Sequence, residues 1–579
     1  MPRFLPRQRH GTAFARVPGT PSTIPRAPRY IDAMPRGPTA LLQDLERVSP
    51  SRAAWAVTLL GAVARALYFP VPAITGSDCD AVGYMEVARN LRAGLGFVTY
   101  TLYHLWVTPA AFPRPESLWN PLQPFAIATL GAVVPDLWLA GKLVALLFGL
   151  CVPALTLLAT ERFTGRRDIA CIAGVLAALD PTLVTWSARP LTEMGTIALV
   201  TLVWVLAFRR GRGAGWLLGA AVGLACLQKY QSGLVWLGIV PAVIADRGWR
   251  EGGRTLATAA IGFALVMAPW WVRNLKVFGD PFYTEIKWNL LCDWGLGGDE
   301  LRFWARFERP PTLPGYALAH PIDALRVTYG GLRVILEMGW REHVASAAMV
   351  PLALLGLASL RRHPSRALSF ALYTAVLVFG SAITIARPRF ILSALPFVLG
   401  LVAAGAVTLY EWGRDRGRAQ ALTTATAAIA LLALVLVGDV RGIVRSAGDT
   451  TTLWNARQYL CALEEGAGAA WVRAHAADRS PAIVVEPLHG AWFLEDRPAL
   501  RMPYDDAGVD TLRRRFGARW LITTERDQAI HLPAWAGAPP PWAHAVHHAD
   551  VPQYAPEAVA EGYRYASPVL VYELDPPGR

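Results

Sequence analysis

Leu137-Trp-Leu-Ala-Gly-Lys-Leu-Val-Ala-Leu-Leu-Phe-Gly-Leu-Cys-Val-Pro-Ala-Leu-Thr-Leu-Leu-Ala-Thr160 is an apolar run interrupted by a single lysine, and Arg162, Arg166 and Arg167 follow at once. A helix that crosses the hydrocarbon core of a bilayer needs about 20 such residues. A basic cluster directly after the run is what a cytoplasmic loop carries. The same unit recurs along the chain. Apolar runs stand at about 53–74, 121–135, 137–160, 168–185, 190–208, 214–227, 232–245, 255–272, 346–360, 367–385, 390–411 and 419–440. They predict a mainly α, polytopic membrane protein of about 11–13 transmembrane helices.

Composition agrees with the pattern. Of 579 residues, 54% are hydrophobic and 17% charged, and mean hydropathy is +0.32, whereas soluble domains carry roughly 25% charged residues. The net charge of +13 would suit a nucleic-acid partner only on a soluble basic face. Here it sits in short clusters between apolar runs, so no nucleic acid is expected; membrane lipids are the surroundings. Six cysteines without a CxxC pair point to neither a disulfide framework nor zinc. His544, His547 and His548 have near-ligand spacing but lack a fourth ligand.

The clusters Arg162/Arg166/Arg167, Arg209/Arg210/Arg212, Arg247/Arg250/Arg254, Arg361/Arg362/Arg366 and Arg414/Arg416/Arg418 occupy alternate loops. Placing them all in the cytoplasm satisfies the positive-inside rule and puts loops 75–120 and 273–345 on the outer face of the cell's inner membrane. An odd number of crossings is then needed between loop 75–120 and Arg166. The run 121–135, with Pro121 and Pro124, is therefore read as short or re-entrant. Three regions result: a disordered basic cytoplasmic tail (1–52), a transmembrane region (53–445) and a soluble extracytoplasmic α/β domain (446–579). The last region shows a helical pattern near 455–475 and strand-like runs at 482–486, 520–523 and 569–573.

Charged side chains at a membrane are costly unless they face a cavity or an interface. The assigned topology gathers Asp78, Asp80, Tyr84, Arg114, Glu116, Arg189, Glu193, Lys229, Arg273, Asn274, Arg387 and Arg389 on the outer side. Cations there suit a phosphate, and a carboxylate can take a proton from a hydroxyl. Plainer roles stand beside these. Asp78 or Asp80 could cap the helix that follows, and Glu193 could simply pair with Arg189. Arg273 could anchor the interface beside Trp270 and Trp271, Lys229 could snorkel, and Arg114 and Glu116 could be solvated in their proline-rich loop. Arg387 and Arg389 lie against the positive-inside bias, which favours phosphate binding.

The stretch Gly76-Ser-Asp78-Cys-Asp80-Ala-Val-Gly-Tyr84, continued by Ala88-x-Asn90-Leu91-x-x-Gly94-x-Gly96-Phe97, resembles the first outer loop of GT-C-fold integral membrane glycosyltransferases. The similarity is to the bacterial branch related to protein O-mannosyltransferases and aminoarabinose (lipid A) transferases. Asn120-Pro121-Leu122-Gln123-Pro124, Ser187-Ala-Arg189-Pro-Leu-Thr192-Glu193, Ala268-Pro269-Trp270-Trp271-Val-Arg273-Asn274 and Ala386-Arg387-Pro388-Arg389-Phe390 continue it in order.

The resemblance implies transfer of a sugar from a polyprenyl-phosphate donor to an acceptor hydroxyl on a glycan, lipid or protein, with inversion. It makes Asp80 the general base, with Asp78 as its rival. Arg387, Arg389, Arg273, Asn274, Lys229, Tyr84 and Glu193 become candidate substrate and phosphate contacts. Asp78-Cys79-Asp80 is also a D-x-D, which would admit a divalent metal (Mg or Mn) on Asp78 and Asp80. No other cofactor is expected, and metal dependence stays open. The alternative is a transporter or flippase, or a non-catalytic binder, of a lipid-linked saccharide. Against it, no paired repeat is visible, and the polar set collects at one face instead of the midplane.

Overall fold

The computed structural model describes residues 38–69, 79–288, 311–343, 346–360, 364–383, 386–448, 453–551 and 567–577. Asp78, most of the basic tail and part of the loop after Trp288 lie outside them.

The helices are α1 (Pro38–Arg47), α2 (Pro50–Tyr68), α3 (Cys79–Arg92), α4 (Leu122–Leu130), α5 (Leu137–Thr164), α6 (Arg167–Leu179), α7 (Pro181–Trp186), α8 (Glu193–Ala207), α9 (Ala214–Gln228) and α10 (Val235–Phe278). After them come α11 (Leu313–Ala319), α12 (Pro321–His343), α13 (Met349–Ser359), α14 (Pro364–Ile383), α15 (Leu395–Arg414) and α16 (Arg418–Gly448). Local chemistry sets their ends. Asp136 accepts hydrogen bonds from the Trp138 and Leu139 amides, and Gly165, at φ 74°, ends the same helix, α5. Asp180 caps α7, whose first residue is Pro181. A turn at Gly248 (φ 74°, ψ 167°) breaks α10 into two legs.

Among the described residues, five helical segments are long and apolar enough to cross a membrane. The helices α8, α9 and α13 are apolar but shorter. Proline and glycine divide the sequence runs, which is why fewer long helices appear than apolar stretches: 168–185 splits at Asp180-Pro181 into α6 and α7. The run 121–135 is the nine-residue α4, too short to span. One expectation is corrected. Residues 38–47, counted with the disordered tail, form α1, because the Glu46 carboxylate accepts from the Arg167 and Asp168 amides at the start of α6.

The arginine clusters meet at one end of the bundle. Arg166 bonds Asp168 and Glu411, Arg210 reaches Asp246, Arg247 donates to the Ala207 and Arg209 carbonyls, and Arg366 donates to those of Arg162 and Phe163. Helices pack closely where glycine permits. A methyl on Gly219 of α9 would sit 1.9 Å from the Ala259 carbonyl oxygen of α10.

The opposite end carries a six-stranded sheet. Its strands are β2 (Thr101–Leu102), β4 (Ala482–Val484), β5 (Ala499–Arg501), β6 (Trp520–Thr524), β7 (Ala543–Ala549) and β8 (Val569–Leu574), in the order β2-β5-β4-β6-β8-β7. The first four are parallel and the last two antiparallel. The pair β1 (Val98–Thr99) and β3 (Arg114–Pro115) lies apart. Helices α17 (Leu453–His475), α18 (Pro487–Leu494), α19 (Asp506–Phe516) and α20 (Glu525–His531) flank the sheet. Strands β4, β6 and β8 stand where the short strand-like runs place them, and are buried along most of their length. Strand β2 comes from the loop after α3, so the sheet draws on both regions.

Candidate active site

Four charged side chains from distant segments meet near the sheet-bearing end. Asp80 lies in the first turn of α3, Glu193 at the first residue of α8, Lys229 just past α9, and Arg389 in the 3-10 turn Pro388–Ala394 that leads into α15. Arg389 Nη2 donates to Asp80 Oδ2 at 2.5 Å, and its Nε lies 3.6 Å from Glu193 Oε1. Lys229 Nζ donates to the same Glu193 oxygen at 3.1 Å and stands 4.2 Å above the Phe390 ring. Glu193 is 4% exposed, while the Asp80 and Arg389 side chains are 22% and 27% exposed. The centre therefore opens on the Asp80–Arg389 side and closes behind Glu193.

Tyr84, one helical turn after Asp80, is buried with Asp80, Glu193 and Arg389 as its charged neighbours. Trp119 stacks edge-on to it, with ring centroids 4.7 Å apart. Gly83 allows that approach, since any Cβ there would meet the Trp119 indole at 2.6 Å. Behind Lys229 and Glu193, Gln228 Nε2 donates to Gln123 Oε1 at 2.9 Å and to the Thr192 carbonyl at 3.2 Å. That amide pair links α4, α8 and α9, and it fixes Lys229 against Glu193.

Other candidates are engaged elsewhere. Arg273 donates to Asn274 Oδ1 and to the Phe97 carbonyl, and its guanidinium stacks on Trp270, Phe97 and Phe278. Asn274 donates to the Pro281 and Tyr283 carbonyls. These two residues fasten the end of α10 to the loops beside it. Arg387 is exposed on the same turn as Arg389. Arg189 stacks over Trp186, and Glu193 pairs with Lys229 and Arg389, not with Arg189.

Arg114 and Glu116 are not solvated; each is 2% exposed. Arg114 makes a two-point ion pair with Glu285 at 2.5 and 3.1 Å, and Ser117 donates to the same carboxylate. Glu116 accepts from the Leu118 and Trp119 amides, and burial pushes its carboxyl up to about 7. Together these contacts pin the loop after α3 to the segment following α10.

Reading the sequence did not single out Phe390, Gln123, Gln228 or Glu285. A usable signal existed for Gln228, a polar residue closing an apolar run beside a lysine. Nothing in the sequence pairs Glu285 with a particular arginine.

Asp80 is paired with Arg389, Asp78 lies outside the described residues, and no group of three His, Cys, Asp or Glu side chains among the described residues could hold an ion.

A family model described as dolichyl-phosphate-mannose-protein mannosyltransferase matches residues 115–272. No curated protein matches the chain. Among solved structures, ArnT from Cupriavidus metallidurans in the apo state superposes with a TM-score of 0.53 at 14% identity, covering 90% of this chain and 98% of that one. The same protein bound to undecaprenyl phosphate gives 0.52 at 15% identity, with the same coverage. An Archaeoglobus fulgidus oligosaccharyltransferase, tethered by a disulfide to an acceptor peptide with the NVT sequon, gives 0.52 at 10% identity, covering 89% and 75%. The sequence match runs from before α4 through most of α10 and includes Glu193 and Lys229. The structural likeness extends over the bundle and the sheet.

Proposed function

We propose, for a multi-pass membrane protein with the GT-C glycosyltransferase fold, that this chain transfers a sugar from a polyprenyl-phosphate donor to an acceptor hydroxyl. One observation carries the reading: Arg389 touches both Asp80 and Glu193, so the cations that would hold a phosphate and the carboxylate that would take a proton form one centre. The relative bound to undecaprenyl phosphate supports this choice of donor. The centre lies at the end opposite the arginine clusters, and the positive-inside rule turns it away from the cytoplasm. The sheet domain then faces the same extracytoplasmic side of the inner membrane.

The donor phosphate binds between Lys229 and Arg389, whose donors neutralise it as a leaving group. In binding Arg389 it competes with Asp80 and releases that carboxylate toward the acceptor. The acceptor hydroxyl attacks the anomeric carbon opposite the phosphate. Its oxygen–carbon bond forms as the carbon–oxygen bond to phosphate breaks, which inverts the centre. Asp80 takes the hydroxyl proton, and polyprenyl phosphate leaves. Glu193, held by Lys229, keeps the two cations at their spacing.

The test uses purified protein, a labelled polyprenyl-phosphate sugar and the variant Asp80→Asn. Transfer with wild type and its loss in the variant, with donor binding retained, is the expected result. Wild-type turnover in the variant overturns the assignment of the base. Donor crossing vesicle membranes with its sugar–phosphate bond intact would make the chain a flippase.

A further inference from the structure

We infer that Arg89 is a positioning residue through which the sheet domain holds the base, Asp80, in place; the inference rests on the role proposed for Asp80. Helix α3 carries Asp80 in its first turn and Arg89 in its last, nine residues and roughly 13 Å apart along the axis. Arg89 Nη1 donates to the Trp492 carbonyl at 3.0 Å, and Nη2 donates to those of Ala491 and Glu495 at 3.0 and 2.9 Å. Its guanidinium also stands 5.1 Å from the Trp492 ring centroid. These carbonyls lie at the C-terminal end of α18, where the helix's own amides can no longer reach them.

The receiving backbone is unusual. Glu495 has φ 62° and ψ −93°, and among the described residues it alone combines a side chain with positive φ. Such a conformation costs of order 1–3 kcal/mol and persists only where surrounding contacts enforce it. Here it aims the Glu495 carbonyl at Arg89.

A second tether lies one turn earlier. Glu86, 1% exposed, accepts from the Thr99 hydroxyl, the Tyr100 amide and the Thr101 hydroxyl at 2.8, 2.5 and 3.0 Å. That carboxylate shapes the turn into β2, the edge strand of the sheet. Ahead of both tethers, Leu488 of α18 is buried in the apolar cluster that contains Val82, Tyr84 and Met85 of α3. Helix α3 thus bridges the two regions: its last turns are tied to the sheet domain, its apolar face packs on both α18 and the bundle helices α4 and α5, and its first turn reaches Arg389. A shift of about 1 Å in a reacting group can cost roughly 100-fold in rate. The sheet domain acts as the frame that prevents such a shift.

The test compares full-length wild type, Arg89→Lys and Arg89→Met, which keeps side-chain length but no donors, with Glu495→Gly, which relieves the strained φ and keeps the carbonyl. Turnover is read as kcat and donor KM separately, and amide hydrogen exchange is followed over residues 80–92 and 487–495. Arg89→Met is expected to lower kcat roughly 10- to 100-fold, to change donor KM less than about threefold, and to speed exchange in both segments. Arg89→Lys is expected to fall between, and Glu495→Gly to match wild type. Where Arg89→Met does not fold, Arg89→Lys carries the comparison. Wild-type kcat in the Arg89 variants, or unchanged exchange, overturns the inference. So does a loss that only tracks the fraction of folded protein. Exchange reads the tether without any turnover, so full activity in Asp80→Asn would remove the base assignment and still leave the tether measurable.

Discussion

Arg389 donates a 2.5 Å hydrogen bond to Asp80 across 309 positions of sequence. Its Nε faces Glu193, whose oxygen also receives Lys229. One guanidinium therefore stands between the proposed base and the proposed phosphate site. Its fork geometry suits it to both tasks, because separate nitrogens address separate oxygens.

Arg389→Lys keeps the charge but cannot reach Asp80 and Glu193 together. The expected outcome is a fall in kcat/KM of roughly 10- to 100-fold, and a larger one in Arg389→Gln. Steady-state kinetics on the lipid-linked donor check this. An unchanged kcat/KM in Arg389→Gln would remove the arginine from the reaction.

Lys229→Met takes away the hydrogen-bonded partner of a nearly buried carboxylate. Breaking such a pair from one side costs about 3–5 kcal/mol, whereas removing both charges costs far less. Lys229→Met should therefore melt well below wild type. Lys229→Met with Glu193→Gln should recover most of the melting temperature without recovering donor affinity. Equal melting of the single and double variants would contradict the pairing.

Glu116 sets a pH dependence. Burial raises its folded value to about 7 from an ordinary 4.5, so the folded chain holds this proton more tightly than the unfolded one. The stability it contributes is complete below about pH 4.5 and is lost as pH rises through 7, at most on the order of 3 kcal/mol. Glu116→Gln mimics the protonated form. Its melting temperature should exceed that of wild type at pH 8 and approach it near pH 4.5. Identical melting at both pH values would mean that Glu116 keeps an ordinary carboxyl.

Gly219→Ala places a methyl 1.9 Å from a backbone oxygen of the neighbouring helix, so α9 and α10 must move apart. Overpacking of this kind costs about 1–3 kcal/mol or more. Gly253→Ala, with nothing within 4 Å of the added carbon, is the control. Thermal unfolding in detergent should separate the two, and equal stability would show that the crossing is loose.

The sequence made the bundle legible because membrane insertion is governed by local quantities. Apolar length, terminal proline and the alternation of arginine clusters can each be read within about 20 residues. The short α4 could be anticipated from the parity of crossings and Pro121 and Pro124. The contacts that stayed illegible share a cause. Arg114 meets Glu285 across 171 positions, and Arg273 and Asn274 donate to the Phe97, Pro281 and Tyr283 carbonyls; no local pattern reveals such partners.

Residue order alone determined a polytopic helical chain with an α/β domain, and one face on which Asp80, Glu193, Lys229 and Arg389 could gather. Tertiary structure decided which of the candidates meet, that Arg114 and Glu116 are buried, and that β2 leaves its loop to join the distant sheet. The division is physical. Hydropathy and capping act over neighbouring residues, whereas an ion pair spanning 309 positions depends on how helices cross and where glycine lets them touch.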